Sequence, residues 1–195
     1  MIELAFIIGA YLLGSVSFGI LMSRAFGLPD PRTVGSGNPG ATNVLRSGKK
    51  AAAVLTLLGD AGKGWFAVWL AAHYGLAPWL VCAVALAVFL GHLYPVFYGF
   101  QGGKGVATAL GVLLAISPWL GLCVLLTWVL AFGLWRYSSL AALIASGLSP
   151  VYALLLLEYK GYALMALILA LFMFWRHRGN IRKLLDGTES GFGKK

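Results

Sequence analysis

Charge is scarce in this chain of 195 residues, and negative charge is scarcer still. Only 11% of residues are charged, with 6 Asp or Glu against 15 Lys or Arg, while 60% are hydrophobic. Soluble domains carry about 25% charged residues because a small globule needs a solvated shell. That shell is missing here, and the mean hydropathy of +0.86 places the chain in lipid. In a soluble protein the basic excess would suggest nucleic acid. In so apolar a chain it points to retention of positive loops on the cytoplasmic side, and no nucleic-acid partner is expected. Cysteine is nearly absent too: Cys82 and Cys123 both sit in apolar runs. This excludes a disulfide framework and any Cys-based metal spacing.

What the sequence does have is long apolar runs. Spans of the length needed for a hydrocarbon core of about 30 Å are predicted near Ile2 to Met22, Ala51 to Tyr74, Pro78 to Tyr98, Val106 to Ser117, Trp119 to Trp135, Leu140 to Leu157 and Tyr162 to Trp175. The fourth is short. It is either a helix extended back into the preceding glycine-rich stretch or a half-span packed inside the bundle. The first begins with Glu3 rather than a basic cluster and has no clear small-x-small cleavage site, which argues against a signal peptide.

Basic residues orient the spans. With seven helices and the N-terminus outside, one side collects Arg24, Arg32, Arg46, Lys49, Lys50, Lys104, Arg136, Arg176, Arg178, Arg182, Lys183, Lys194 and Lys195, which is 13 of the 15. The other side receives only Lys160, and Lys63 lies within a span. The expectation is therefore an all-α polytopic membrane protein forming a single domain over 1–195, with about seven transmembrane helices and a cytoplasmic C-terminus. Trp79, Tyr94, Tyr98, Trp119, Trp135, Tyr159 and Trp175 fall near span ends, as interfacial aromatics do. Stretches 23–50, 99–105 and 176–195 then share the cytoplasmic face, and the outer connections are short.

Those three stretches carry the chemistry. The first includes Gly35-Ser36-Gly37-Asn38 and Gly40-Ala41-Thr42-Asn43, with Arg46 just beyond. Glycines permit close approach, the hydroxyls and amides offer neutral hydrogen bonds, and the guanidinium supplies a fork, an inventory suited to an anion. Taken alone it is equally an ordinary polar loop. The second, Gly102-Gly103-Lys104-Gly105-Val106-Ala107-Thr108, places one lysine among three glycines just before an apolar helix. Backbone N–H groups, a helix N-terminus and an ammonium can all point at one phosphate there. With neither Ser nor Thr after Lys104, it is not a Walker A loop. In the third, His177 and Asn180 lie three apart among Arg176, Arg178, Arg182 and Lys183, and share a face if the last helix continues through them. Asp60 and Lys63, also three apart, lie inside a span, where each charge costs about 2.5–3.5 kcal/mol on insertion scales. They form either a self-neutralising pair or part of a polar funnel.

Together the three motifs, in order and spaced over nearly the whole chain, resemble the PlsY family of acyl-phosphate-dependent glycerol-3-phosphate acyltransferases of bacteria. The matching residues are Gly35-Ser36-Gly37-Asn38, Gly40-Ala41-Thr42-Asn43 and Arg46; Gly102 through Thr108; and His177-Arg178, Asn180-Ile181, Leu184-Leu185, Gly187 and Glu189. Lys183 departs from the arginine common in the family, which removes any bidentate contact at that position. The resemblance implies a multi-pass enzyme of the bacterial inner membrane, with its active site facing the cytoplasm. Its substrates would be acyl-phosphate and glycerol 3-phosphate, with membrane lipid around it and no cofactor or metal. It assigns Ser36, Arg46, Lys104, His177 and Asn180 to catalysis. Gly37, Asn38, Thr42, Asn43, Gly102, Gly103, Gly105 and Thr108 would bind substrate or phosphate, and Glu189 would be structural. The residues five positions after His73, His92 and His177 are Pro78, Phe97 and Arg182. The His-x4-Asp arrangement of the thioester-using enzymes is therefore absent. A transporter of a phosphorylated solute would use the same inventory, but it predicts an internal repeat and mid-membrane binding groups. No repeat is found.

Overall fold

Each apolar run folds as helix, because backbone polar groups in lipid must be satisfied within their own segment. A computed structural model describes residues 1–192, and among these it contains ten α-helices and no strand. Lys194 and Lys195, counted above toward the cytoplasmic side, lie outside the described residues. The chain divides into two compact units, Met1–Ala115 and Ile116–Lys195.

In the first unit the opening run is not one helix. It breaks into α1 (Ile2–Gly14) and α2 (Phe18–Ala25), bent by 41°. A short helix α3 (Ala41–Arg46) follows, then α4 (Lys50–His73) and α5 (Pro78–Leu93), which runs on into a 3-10 turn at Val96–Tyr98, and finally α6 (Val106–Ile116). Helices α1 and α5 meet backbone to backbone. A Cβ at Gly14 would overlap the Val88 carbonyl, and one at Gly91 the Tyr11 carbonyl, so glycine at the contact sets the spacing. Helix α3 is held down by Val44, 1% exposed, packed with Ala52 and Ala53 of α4 and flanked by Met22 and Leu28. Helix α6 has 11 residues and starts only at Val106, so it does not reach back into residues 101–105. At 1.5 Å per residue it is about 16 Å long, half a hydrocarbon core.

The second unit consists of α7 (Pro118–Trp135), α8 (Ser138–Leu156), α9 (Gly161–Arg176) and α10 (Arg178–Leu185). Successive helices pack along faces of small residues, with Ala141, Ala142, Ala145, Ala163, Ala166 and Ala170 all buried. The Thr127 and Tyr152 hydroxyls are 2.8 Å apart and bridge α7 to α8. Pro150 inside α8 removes the N–H that would bond the Ser146 carbonyl. The Ser149 hydroxyl donates to that oxygen instead, at 2.8 Å, and the helix continues.

By length and apolarity, Pro78–Tyr98, Pro118–Trp135 and Ser138–Leu156 can cross a membrane, and the broken α1–α2 pair makes a fourth span if it counts as one. The other predicted spans are helices of a different kind: α6 and α9 are shorter, and α4 carries Asp60 and Lys63 in its interior.

Candidate functional site

In the first unit, residues 31–40 form an irregular loop organised by one buried side chain. Asn43, 3% exposed, accepts the Ser36 backbone N–H at 2.9 Å and donates to the carbonyls of Pro31 at 2.8 Å and Val34 at 3.0 Å. Both amide hydrogens are thus committed to the loop. Asn43 is expected to bind substrate or phosphate, and in this structure its amide donors serve the loop. The same bonds leave Ser36 and Gly37 exposed at the tip, with Asn38 and Thr42 half-buried and Arg46 exposed at the end of α3. The loop rests on α2 where a Cβ at Gly19 would overlap the Pro39 carbonyl.

N-terminal to this loop, Arg32 grips Asp30 with a 2.7 Å ion pair and two further bonds from Nε at 3.1 and 3.2 Å. The hydrogen bond from Arg32 holds the Asp30 carboxyl below the usual carboxylate range, and the same bond raises Arg32. Arg32 also reaches the Tyr98 carbonyl at 3.5 Å and lies 5.9 Å from the Tyr98 ring centroid. The loop is thereby tied to the segment that leads into the second motif. Because the folded pKa of Asp30 is depressed, the Asp30–Arg32 pair is complete above the ordinary carboxylate pKa and is lost as pH falls through the folded value.

The second motif runs over the end of α5. The Gly103 N–H donates to the His92 carbonyl at 3.1 Å, and a Cβ at Gly103 would overlap the His92 imidazole. Only glycine permits that approach. Gly105, at φ +87°, turns the chain into α6 and accepts its first helical bond, from Ala109 N–H at 2.8 Å. The N–H groups of Val106, Ala107 and Thr108 precede that bond and have no intrahelical acceptor. Lys104 is half-buried on this turn. Thr108 is fully buried, and its hydroxyl has no hydrogen-bond partner among the described residues.

Below the second motif lies a closed charge cluster. Lys63 Nζ is 2.8 Å from Asp60 Oδ1, with side-chain exposures of 1% and 2%. His92 Nδ1 is 3.5 Å from the same oxygen. Lys63 also donates at 2.6 Å to the Val16 carbonyl in the break between α1 and α2. A funnel lined by Asp60 and Lys63 is therefore corrected to a buried ion pair, because its charges are spent on each other and on the broken helix.

In the second unit α9 stops at Arg176 and α10 begins at Arg178, so His177 is a one-residue interruption between the helix that ends before it and the helix that carries Asn180. His177 is 3% exposed, with Nδ1 2.8 Å from the Met173 carbonyl. A carbonyl only accepts, so Nδ1 carries a proton. Glu189 Oε1 accepts from Asn180 Nδ2 at 2.7 Å and from the Ser139 hydroxyl at 2.5 Å. The tail thereby braces α10 against the start of α8. Ser139 and the Asp30–Arg32 clamp were not foreseen. The Asp-x-Arg spacing beside the first motif was a usable signal for the clamp, whereas Ser139 is one serine among several small residues.

The architecture is that of an all-helical protein with helices long and apolar enough to cross a membrane. A profile of the family described as Glycerol-3-phosphate acyltransferase matches residues 4–187, and the chain belongs to that family. It is 70% identical to the glycerol-3-phosphate acyltransferase of Methylobacillus flagellatus over 97% of each chain. To that of Thiobacillus denitrificans it is 58% identical over the full length of both. Among solved structures it is similar to PlsY, an integral membrane glycerol 3-phosphate acyltransferase. The glycerol 3-phosphate form matches with a TM-score of 0.94 at 42% identity, covering 99% of this chain and 96% of that one. The lysophosphatidic acid form matches at 0.93 and 40%.

Proposed function

We propose that the chain transfers an acyl group from acyl-phosphate to glycerol 3-phosphate, giving 1-acyl-glycerol 3-phosphate and inorganic phosphate, the first acylation of phospholipid synthesis. The observation that carries this reading is the second motif. A half-buried lysine turn leads straight into the N-terminus of α6, whose first N–H groups have no intrahelical acceptor, an arrangement suited to a phosphate at the edge of lipid.

The chemistry needs little more. The C1 hydroxyl oxygen of glycerol 3-phosphate attacks the acyl carbonyl carbon, the bond from that carbon to the phosphate oxygen breaks, and phosphate leaves with the electron pair. The donor is already activated, so the protein's task is to hold two anions together and stabilise developing negative charge. Ser36, Arg46 and Lys104 in the first unit, and His177 and Asn180 in the second, are the positions that the family resemblance assigns to this work. In this scheme a substrate phosphate oxygen takes the hydroxyl proton, with His177 orienting a phosphate; the competing version makes His177 the general base. Asn43 supports the first loop from behind.

The test is phosphate release by purified protein. Product is expected from acyl-phosphate and essentially none from acyl-CoA, with no added metal. Equal rates with both donors, or activity abolished by chelator and restored by a divalent ion, would overturn the scheme. On this proposal the reaction takes place at the cytoplasmic face of the bacterial inner membrane. Reporters fused after Arg46, Arg136 and Lys195 are therefore expected to register cytoplasm, and one near Glu158 the outside. A cytoplasmic signal near Glu158 would invert the orientation.

A further inference from the structure

The buried pair Asp60–Lys63 contacts the supports of both motifs of the first unit. Toward the second motif, Asp60 Oδ1 faces His92 Nδ1 at 3.5 Å, and the His92 imidazole lies directly under Gly103. Toward the first, Lys63 holds the Val16 carbonyl at 2.6 Å, two residues before α2 begins. Helix α2 in turn carries Gly19 against the Pro39 carbonyl of the first loop, and Phe18 fills the surface notch at Gly59 of α4. A second strand of bonds runs in parallel. Ser15 donates to the Tyr11 carbonyl at 2.9 Å and accepts from Val96 N–H at 3.3 Å, while the Tyr11 hydroxyl donates to the Tyr94 carbonyl at 2.8 Å.

A pair that only neutralised itself would need neither arm. Two charges placed in a span at insertion cost are instead positioned where one faces a histidine at 3.5 Å and the other fills a helix break. We propose that Asp60, Lys63 and His92 are positioning residues that set the two anion-binding loops of the first unit at a fixed separation. The Lys63 arm acts on residues 34–46 and the His92 arm on residues 102–105. The inference rests on the function proposed above, because the loops are taken to hold its phosphates.

Two variants separate the arms. In His92→Ala the support under Gly103 is gone. KM for a phosphate-bearing substrate is expected to rise about ten-fold with kcat within about two-fold, as befits loss of ground-state positioning. Amide hydrogen exchange should quicken in 101–106 and stay unchanged in 34–46. His92→Asn, which restores a donor near the Nδ1 position, should recover most of both. The neutral double variant Asp60→Asn/Lys63→Met should quicken exchange in both segments and raise KM for both substrates. If these variants lower Tm while KM and loop exchange match wild type, the cluster serves stability alone and the proposal fails. If wild-type protein turns over neither substrate, the proposed function fails instead. The exchange pattern then decides the positioning role by itself, and unchanged loops overturn it.

Discussion

Replacing Lys104 with alanine is expected to lower kcat/KM by about ten-fold to a few hundred-fold, the worth of one hydrogen bond to a charged group. The protein should still insert and purify, because Lys104 stands on a turn ahead of α6 and is only half-buried. The measurement is acyl transfer at varied concentrations of each substrate, with yield and Tm recorded for the same preparation. Lys104→Gln is the stricter variant, since it keeps length and removes only charge. Kinetics indistinguishable from wild type there would mean that the ammonium rests at the membrane interface, and the second motif would leave the active site. Gly103→Ala should fail by another route. The charge stays, but the added methyl overlaps the His92 ring, so the turn must shift and the loss falls on KM.

Asn43→Asp should be more damaging still. The substitution is nearly isosteric and keeps the acceptor for the Ser36 N–H, but it removes both donors and sets a carboxylate against the carbonyls of Pro31 and Val34. An uncompensated buried charge costs about 3–5 kcal/mol, enough to release the 31–36 loop and lower kcat/KM by about a hundred-fold or more. Asn43→Ala leaves polar groups without partners but adds no charge, and is expected to be milder. Assaying the two in parallel, with Tm, checks the order. An Asn43→Asp enzyme as active as wild type would show that the loop does not depend on this amide.

The contrast between these two residues shows what could be read from the sequence. Lys104 is conspicuous because a lysine among glycines before an apolar helix brings a charge and an open backbone to one point, and local composition suffices to find it. Asn43 sits in an equally suggestive run, yet its role depends on which way one amide points, and that is set by carbonyls nine and twelve residues earlier. The helices follow the same rule. The seven apolar runs all became helix, because hydropathy and length are local quantities. The break at residues 15–17 has no decisive local marker, because Ser15 and Ser17 beside Val16 are small hydroxyl residues inside an otherwise apolar run. The carbonyl freed there is satisfied by Lys63, forty-seven residues away. The interruption at His177 is hard to read for a similar reason: Arg178–Leu185 continues a helical pattern, and a one-residue break has no marker of its own. Asp60 and Lys63 were recognised as a pair from spacing alone, but whether they opened to solvent depended on α1 and α5.

The interrupted first span also bears on biosynthesis. Until α4 has emerged, the carbonyl at Val16 has no ammonium to meet it, and an unmet backbone oxygen in hydrocarbon costs several kcal/mol. The opening segment must therefore enter the bilayer as a straighter, provisional helix, or wait at the membrane surface. The 41° bend would be acquired only when Lys63 arrives with Asp60 beside it. On this account the N-terminal arm takes its final shape late although it is made first, and a chain truncated before residue 60 would present a different first span from the one found in the finished protein.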